Sequence, residues 1–247
     1  MEILGIDVGG TGIKGAVVDT RRGRMLTDRF RLLTPRPARP QPLAETITQV
    51  VEHFKWKGPV GCGFPAAIVG GRVLTAANIS KRWIGIGVVD MLEKISGCQF
   101  TVLNDADAAG VAEMRFGAGR NRDGLVVFLT LGTGIGSALF IDQRLVPNTE
   151  LGHIEVNCRE AEKWASDMVR ERGNLSWKKW AGRIDKYLHR MQQYFWPRLF
   201  IVGGGASKHQ EKFFPYLTVD CEVIPAQLKN DAGMIGAAAA AAGGRHR

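Results

Sequence analysis

The 247-residue chain is long enough to bury a substantial core yet short for two independent domains, which predicts one unit of two interleaved lobes. Its 45% hydrophobic and 23% charged residues are a globular composition, and with no apolar run of 18 residues the reading includes neither a membrane span nor a secretory leader. A net charge of +9 favours polyanionic partners, while four scattered cysteines without a C-x-x-C pair exclude a disulfide framework and suit a reducing cytoplasm.

Met1–Leu32 reads as a meander of three strands, Ile3–Val8, Ile13–Asp19 and Met25–Leu32, with a basic turn at Arg21–Arg24. Asp7 stands at the end of the first strand, Gly9, Gly10, Thr11 and Gly12 form the turn after it, and Lys14 stands at the start of the second. Glycines there allow positive φ and let backbone N–H groups approach an anion without an intervening Cβ. Asp7 suits either a turn cap or a carboxylate holding Mg²⁺ through water, and Lys14 would lie along a phosphate chain.

Thr34–Pro42, with four prolines in nine residues, is a stiff connector that excludes helix, and Leu43–Phe54 has amphipathic helical spacing. Val60–Phe64 is a buried strand ending in Gly63, Phe64 and Pro65, followed by a hairpin to Leu74. Ala76–Gly85 carries Asn78 and a basic–aromatic cluster, Lys81, Arg82 and Trp83. A helix over Val88–Ile95, stopped by Gly97, leads to a strand at Phe100–Leu103, then Asn104, Asp105 and a helix at Ala106–Phe116. Asp105 thus stands at a strand tip, either as a helix N-cap or as a proton acceptor.

A second glycine-rich segment, LTLGTGIGSA (Leu129–Ala138), repeats the first idea. A strand, Leu125–Leu131, enters a turn holding Gly132, Thr133, Gly134, Gly136 and Ser137, and a strand at Ala138–Ile141 leaves it. Each turn joins strand to strand with no helix following, which excludes the Rossmann and P-loop motifs. Arg115, Arg120 and Arg122 just ahead of it are either a basic rim or solubility charges. Two helices follow, Arg159–Arg172 and Ser176–Phe195; the second has Trp177, Trp180, Ile184, Leu188, Met191 and Phe195 at helical spacing, a core or a dimer face. Leu199–Val202 runs into Gly203, Gly204, Gly205 and Ala206 with a helix to Phe214, and an Ala/Gly-rich helix at Ala232–Ala241 precedes a frayed Gly243–Arg247.

DVGGTGIKG and LTLGTGIGSA together resemble the paired phosphate loops of the ROK family (repressor, open reading frame, kinase) of actin-like sugar kinases. LTLGTGIGSA followed by ELGHIEV resembles its polyphosphate glucokinase branch. The resemblance runs from Met1 to about Ala241 and is poorest over Arg159–Arg190. It implies an α/β, two-lobed actin-like ATPase (ribonuclease H-like) fold around a central cleft, with a small lobe of 1–112 plus 229–247 and a large lobe of 113–228.

The resemblance also implies roles. Asp7, Gly9, Gly10, Thr11, Gly12 and Lys14, with Thr130, Gly132, Thr133 and Gly134, would bind phosphate. Gly63, Phe64, Pro65, Asn78, Asn104, Glu150 and His153 would contact the sugar, with Glu162 as a further sugar glutamate and Glu155 and Glu160 as weaker matches for it. Asp105 would take the proton of the attacking hydroxyl, Gly203, Gly204, Gly205 and Ala206 would support adenosine, and Lys81, Arg82, Arg120 and Arg122 would form a polyphosphate rim. The implied activity is phosphorylation of the 6-hydroxyl of glucose by inorganic polyphosphate, ATP or both, with Mg²⁺, in a cytoplasmic homodimer that engages neither nucleic acid nor membrane.

The alternative within the family is an ATP-dependent hexokinase for glucose, mannose or fructose. A sugar-responsive regulator would carry a helix-turn-helix ahead of the first strand, which here begins at residue 3. Many members carry a cysteine-rich zinc motif after the G-H pair; only Cys158 stands in that region, which predicts no zinc.

Overall fold

The computed structural model describes residues 1–243, and the last four residues of the stretch expected to fray lie outside them. The chain divides into two units, Met1–Phe116 with Asp231–Arg247, and Gly117–Asn230. The division falls at Phe116, later than residue 112, because the helix there is continuous to Phe116.

Unit 1 holds strands β1 (Glu2–Val8), β2 (Gly12–Asp19), β3 (Arg24–Met25) and β4 (Phe30–Leu33), helix α1 (Pro40–His53), β5 (Val60–Phe64), the hairpin β6 (Ile68–Val69) and β7 (Arg72–Val73), α2 (Val88–Ser96), β8 (Phe100–Asn104) and α3 (Asp105–Phe116). Its sheet runs β3-β2-β1-β5-β8, with β1–β2 antiparallel, β1–β5–β8 parallel and β4 beside β2. The expected third strand of the meander breaks in two, because the Thr27 hydroxyl takes the Val17 N–H at 3.1 Å in place of a ladder bond. The proline connector ends at Arg39, not Pro42: Pro40 and Pro42 enter the first turn of α1, where helical N–H groups have no partner to lose.

Strand alternation sends Leu4 and Ile6 to one face, where they pack with Ile47, Val50 and Leu92 of α1 and α2. Gly5 faces the other way. Helix α7 (Ala232–Ala242), from the second chain segment of this unit, presses its backbone there: a Cβ at Gly5, Gly61 or Gly236 would overlap the carbonyl oxygen of Met234, Ala237 or Ala108 respectively. Such contact needs glycine and alanine on both sides, and Ala237, Ala238 and Ala239 are fully buried.

Unit 2 holds β9 (Leu125–Leu131), β10 (Ile135–Ile141), β11 (Arg144–Val146), the hairpin β12 (Glu155–Val156) and β13 (Arg159–Glu160), helices α4 (Ala161–Ala165), α5 (Asp167–Arg172) and α6 (Trp177–Phe195), β14 (Leu199–Gly203) and β15 (Glu222–Pro225). The second glycine turn is shorter than expected, since Gly136 and Ser137 already pair within β10. The helix expected over Arg159–Arg172 is instead a hairpin turning at Asn157 and Cys158, both with positive φ, followed by α4 and α5 parted at the extended Ser166. The helix expected after Gly205 is two 3-10 stretches, Gly205–Lys212 and Phe214–Tyr216. The apolar stripe of α6 is core: Trp180, Ile184, Tyr187, Leu188 and Met191 are fully buried with Val127, Phe200 and Val202.

This sheet runs β11-β10-β9-β14-β15, an antiparallel hairpin joined to two parallel strands. The sheet of unit 1 has the same order and the same directions. A duplication that leaves only two glycine turns in the sequence is therefore plain in the topology.

Candidate active site

In unit 1 the parallel strands β1, β5 and β8 end on one edge of the sheet, the edge where α/β sheets receive ligands. Asp7 stands in register with Gly63, and Phe64 with Asn104. A Cβ at Gly63 would lie 3.6 Å from Asp105 Cα, so glycine lets the tip of β5 approach the start of α3. Asn104 Oδ1 accepts from Ala106 N at 2.8 Å and Asp107 N at 3.2 Å, and its Nδ2 donates to Ala66 O at 3.3 Å. Asn104 therefore caps α3, the duty that the sequence left open for Asp105. Asp105 Oδ1 accepts from Ala106 N at 2.8 Å.

Beside it, Lys14 Nζ lies 3.2 Å from Asp7 Oδ2 across the β1–β2 hairpin. The turn between them is closed by Gly9 N donating to Gly12 O at 3.0 Å and the Thr34 hydroxyl to Gly9 O at 2.6 Å. None of Gly9, Gly10, Gly12, Gly132 and Gly134 has positive φ, so of the two expected reasons for glycine there the first is not used. Gly10 and Gly132 have nothing within 4 Å of a would-be Cβ, so their backbone is open to a ligand. At Gly12 a Cβ would lie 2.5 Å from Arg31 Nε, which places an exposed guanidinium over the turn. Arg31 was not singled out from sequence, where it reads as one more outward strand residue.

One expected sugar-side residue does not fit that role through its side chain. Phe64 is fully buried, edge-to-face with Trp83 at 5.0 Å, and Trp83 is itself core, its indole N–H donating to Ala38 O at 3.1 Å. Pro65 is half-buried, and Asn78, Lys81 and Arg82 are exposed.

In unit 2 the second glycine turn gathers more of the expected site. Gly132 N donates to Gly134 O at 3.1 Å, and a Cβ at Gly134 would lie 2.5 Å from Glu162 Oε2. His153 brings Nε2 within 3.6 Å of Glu150 Oε2 and Nδ1 within 3.3 Å of Glu160 and 3.9 Å of Glu162. Glu150 is held from both sides by Ser137, whose buried hydroxyl donates to Thr149 O and accepts from Leu151 N at 2.9 Å. Ser137 was read from sequence only as a turn residue.

Burial raises the Glu150 carboxyl above the ordinary glutamate range, with His153 opposing and Glu162 reinforcing the shift. Glu160 is lowered by hydrogen bonds from Lys163 at 2.8 Å and from His153. Of the three candidate glutamates, Glu155 is exposed on β12, Glu160 is engaged by Lys163, and Glu162 lies against the glycine turn. One imidazole beside several carboxylates can clamp vicinal hydroxyls. His153, Glu160 and Glu162 also lie close enough to share a metal ion, with no cysteine in the group.

Gly203 pairs with Thr130, and Gly204, at φ 81°, lies against the backbone of Leu131, so the loop expected to support adenosine borders the second glycine turn. Ala206 is buried in the core and presents no side chain to a ligand. Arg122 is not a free rim cation: both its terminal nitrogens bond Glu222, at 2.9 and 3.0 Å.

The ROK family model matches residues 3–168, across both glycine turns and the Glu150–His153 segment. The chain belongs to the ROK family. It is 49% identical over 238 residues to a polyphosphate glucokinase of Mycobacterium tuberculosis, covering 96% of this chain and 90% of that protein. Among solved structures it is similar to an inorganic polyphosphate/ATP-glucomannokinase of an Arthrobacter species, with a TM-score of 0.94, 44% identity and 99% of each chain covered. It is also similar to a ROK glucokinase of Streptomyces griseus in complex with glucose and AMPPNP, at a TM-score of 0.84 and 28% identity over 99% of this chain and 100% of that one. The fold is thus the α/β, two-lobed actin-like ATPase fold of ROK sugar kinases.

Within that ROK fold, the two glycine turns occupy equivalent hairpins of two sheets of one topology. Among the described residues no helix is long and apolar enough to cross a membrane.

Proposed function

We propose that this chain transfers a phosphoryl group from inorganic polyphosphate, with ATP as a second donor, to the 6-hydroxyl of glucose. The observation that carries this reading is the convergence of Glu150, His153 and Glu162 on the Gly132–Gly134 turn, a group able to clamp hydroxyls beside a backbone open to an anion. The 49% identity to a polyphosphate glucokinase supports the donor and acceptor.

Glu150, His153 and Glu162 hold sugar hydroxyls. Asp105 orients the 6-hydroxyl and takes its proton as O6 bonds the terminal phosphorus; the bridging P–O bond breaks, releasing a chain shortened by one phosphate, or ADP. Lys14 and Arg31 bring positive charge to the first turn. Asp7 fits a magnesium ion held through water, which neutralises phosphate charge when bound. The enzyme works in the cytoplasm as a homodimer and without zinc, the His153 group serving the sugar.

A coupled assay with purified protein tests the reading: glucose 6-phosphate forms from polyphosphate and glucose, survives a zinc-selective chelator and stops with EDTA. Turnover of ATP with no turnover of polyphosphate would reverse the donor assignment. Glu150 must be ionised to accept sugar O–H groups, so kcat/KM for glucose should fall toward acid through a limb above the ordinary glutamate range. The Glu150→Gln variant should bind glucose more weakly and lose that limb; an unchanged profile would remove Glu150 from the sugar site.

A further inference from the structure

The second glycine turn is continuous, within unit 2, with a basic surface that the reaction above does not use. Met168 N donates to Gly132 O at 3.1 Å, anchoring α5 on the turn, and two residues on the Arg170 guanidinium lies 4.0 Å above the Trp177 ring. From the other side, Gly204 abuts Leu131, and the 3-10 stretch after it carries Lys208, His209 and Lys212. The His209 ring is 5.4 Å and Lys212 Nζ 5.6 Å from the same Trp177 ring, while Lys178 Nζ is 5.8 Å from Tyr216. Two paths of contact thus lead from the turn to one patch.

Charge in this patch is unevenly matched. Arg170 is paired with Asp167 at 2.6 Å and Glu171 at 3.2 Å. Lys178, Lys208 and Lys212 are exposed and, among the described residues, have no carboxylate within ion-pair distance; Glu211 is the acid interleaved with them. A tryptophan ring fixes a neighbouring ammonium by cation–π attraction without neutralising it, so Lys212 keeps its full charge. Single-stranded nucleic acid needs open aromatic faces on which bases stack. Trp177 offers poor ones: Arg170 covers it, and Phe213 lies stacked at 6.2 Å with 15° between planes. Tyr216, 44% exposed, is faced by Lys178 at 5.8 Å, so the patch favours a flexible polyanion without bases.

The geometry points to Lys212 over the Trp177 ring, Lys178 next to Trp177 in α6 and Lys208 next to His209 as the binding surface for the distal phosphates of a long inorganic polyphosphate chain whose end occupies the Gly132–Gly134 turn. This rests on the donor reading above and adds where the rest of the donor lies.

The test compares the native enzyme with the K178Q/K208Q/K212Q variant, using long-chain polyphosphate and tripolyphosphate as donors and, separately, equilibrium binding of long-chain polyphosphate without glucose. The variant should raise KM for the long chain about tenfold and for tripolyphosphate less than twofold, and flatten the slope of log affinity against log salt by about 2. Equal changes for both donors, or none, would overturn the surface while leaving the donor reading intact. If the native enzyme turns over no polyphosphate, binding decides alone: loss in the variant supports the surface although the donor reading fails, and unchanged binding ends both. Tighter binding of an oligothymidylate of equal charge, lost in the same variant, would make the patch a nucleic-acid surface and overturn the proposal. An unaltered thermal midpoint verifies that these exposed substitutions leave the fold intact.

Discussion

Replacing Asp105 by Asn should leave glucose bound with affinity changed by less than about threefold and lower kcat by about 10²–10⁴, the usual contribution of a positioned general base. The substitution is informative because of what surrounds it. Asn104, not Asp105, caps α3, so the helix keeps its two capping bonds in the variant. An asparagine oxygen can still accept from Ala106 N as Asp105 Oδ1 does at 2.8 Å. The loss should therefore fall chiefly on proton transfer, about 3–5 kcal/mol in the barrier. Calorimetric glucose binding and steady-state kinetics measure the two halves of the claim. Turnover within tenfold of native, with glucose still bound, would take Asp105 out of the reaction.

A Gly236→Ala substitution should be among the most damaging single changes to stability, although it adds one methyl group. That methyl would overlap the Ala108 carbonyl oxygen, so α7 and α3 must part, and both elements are backbone where they meet. Overpacking of this kind costs about 3 kcal/mol or more, a fall of about 6–12 °C in thermal midpoint for a chain of this size. Because α3 begins at Asp105, activity should fall with it. Gly10→Ala is the contrast: with nothing within 4 Å, it should leave the thermal midpoint within about 1 °C and weaken the donor. Melting curves of the two variants decide; a Gly236→Ala protein as stable as native would mean that the α3–α7 contact is not rigid.

Much of the candidate site was legible because its residues come in short local patterns. Both glycine turns, the Asn104–Asp105 tip and the Glu150–His153 segment each lie within ten consecutive residues, and local chemistry announces them. Phe64 misled because an aromatic beside a glycine looks the same in sequence whether it faces a ligand or the core, and the α1 and α2 packing that buries it with Trp83 is non-local. Arg122 misled similarly: its partner, Glu222, lies 100 positions away.

The alternation of short apolar strands and helices, the two strand-to-strand glycine turns and the excess of basic residues are properties of the chain alone, since they depend on periodicity and composition. Three matters waited for the tertiary structure. Asn104 took the helix cap, the glycine turns proved free of positive φ, and the α6 stripe turned inward. Each depends on which distant atoms fill the space around a residue, and a linear order of side chains does not carry that distance.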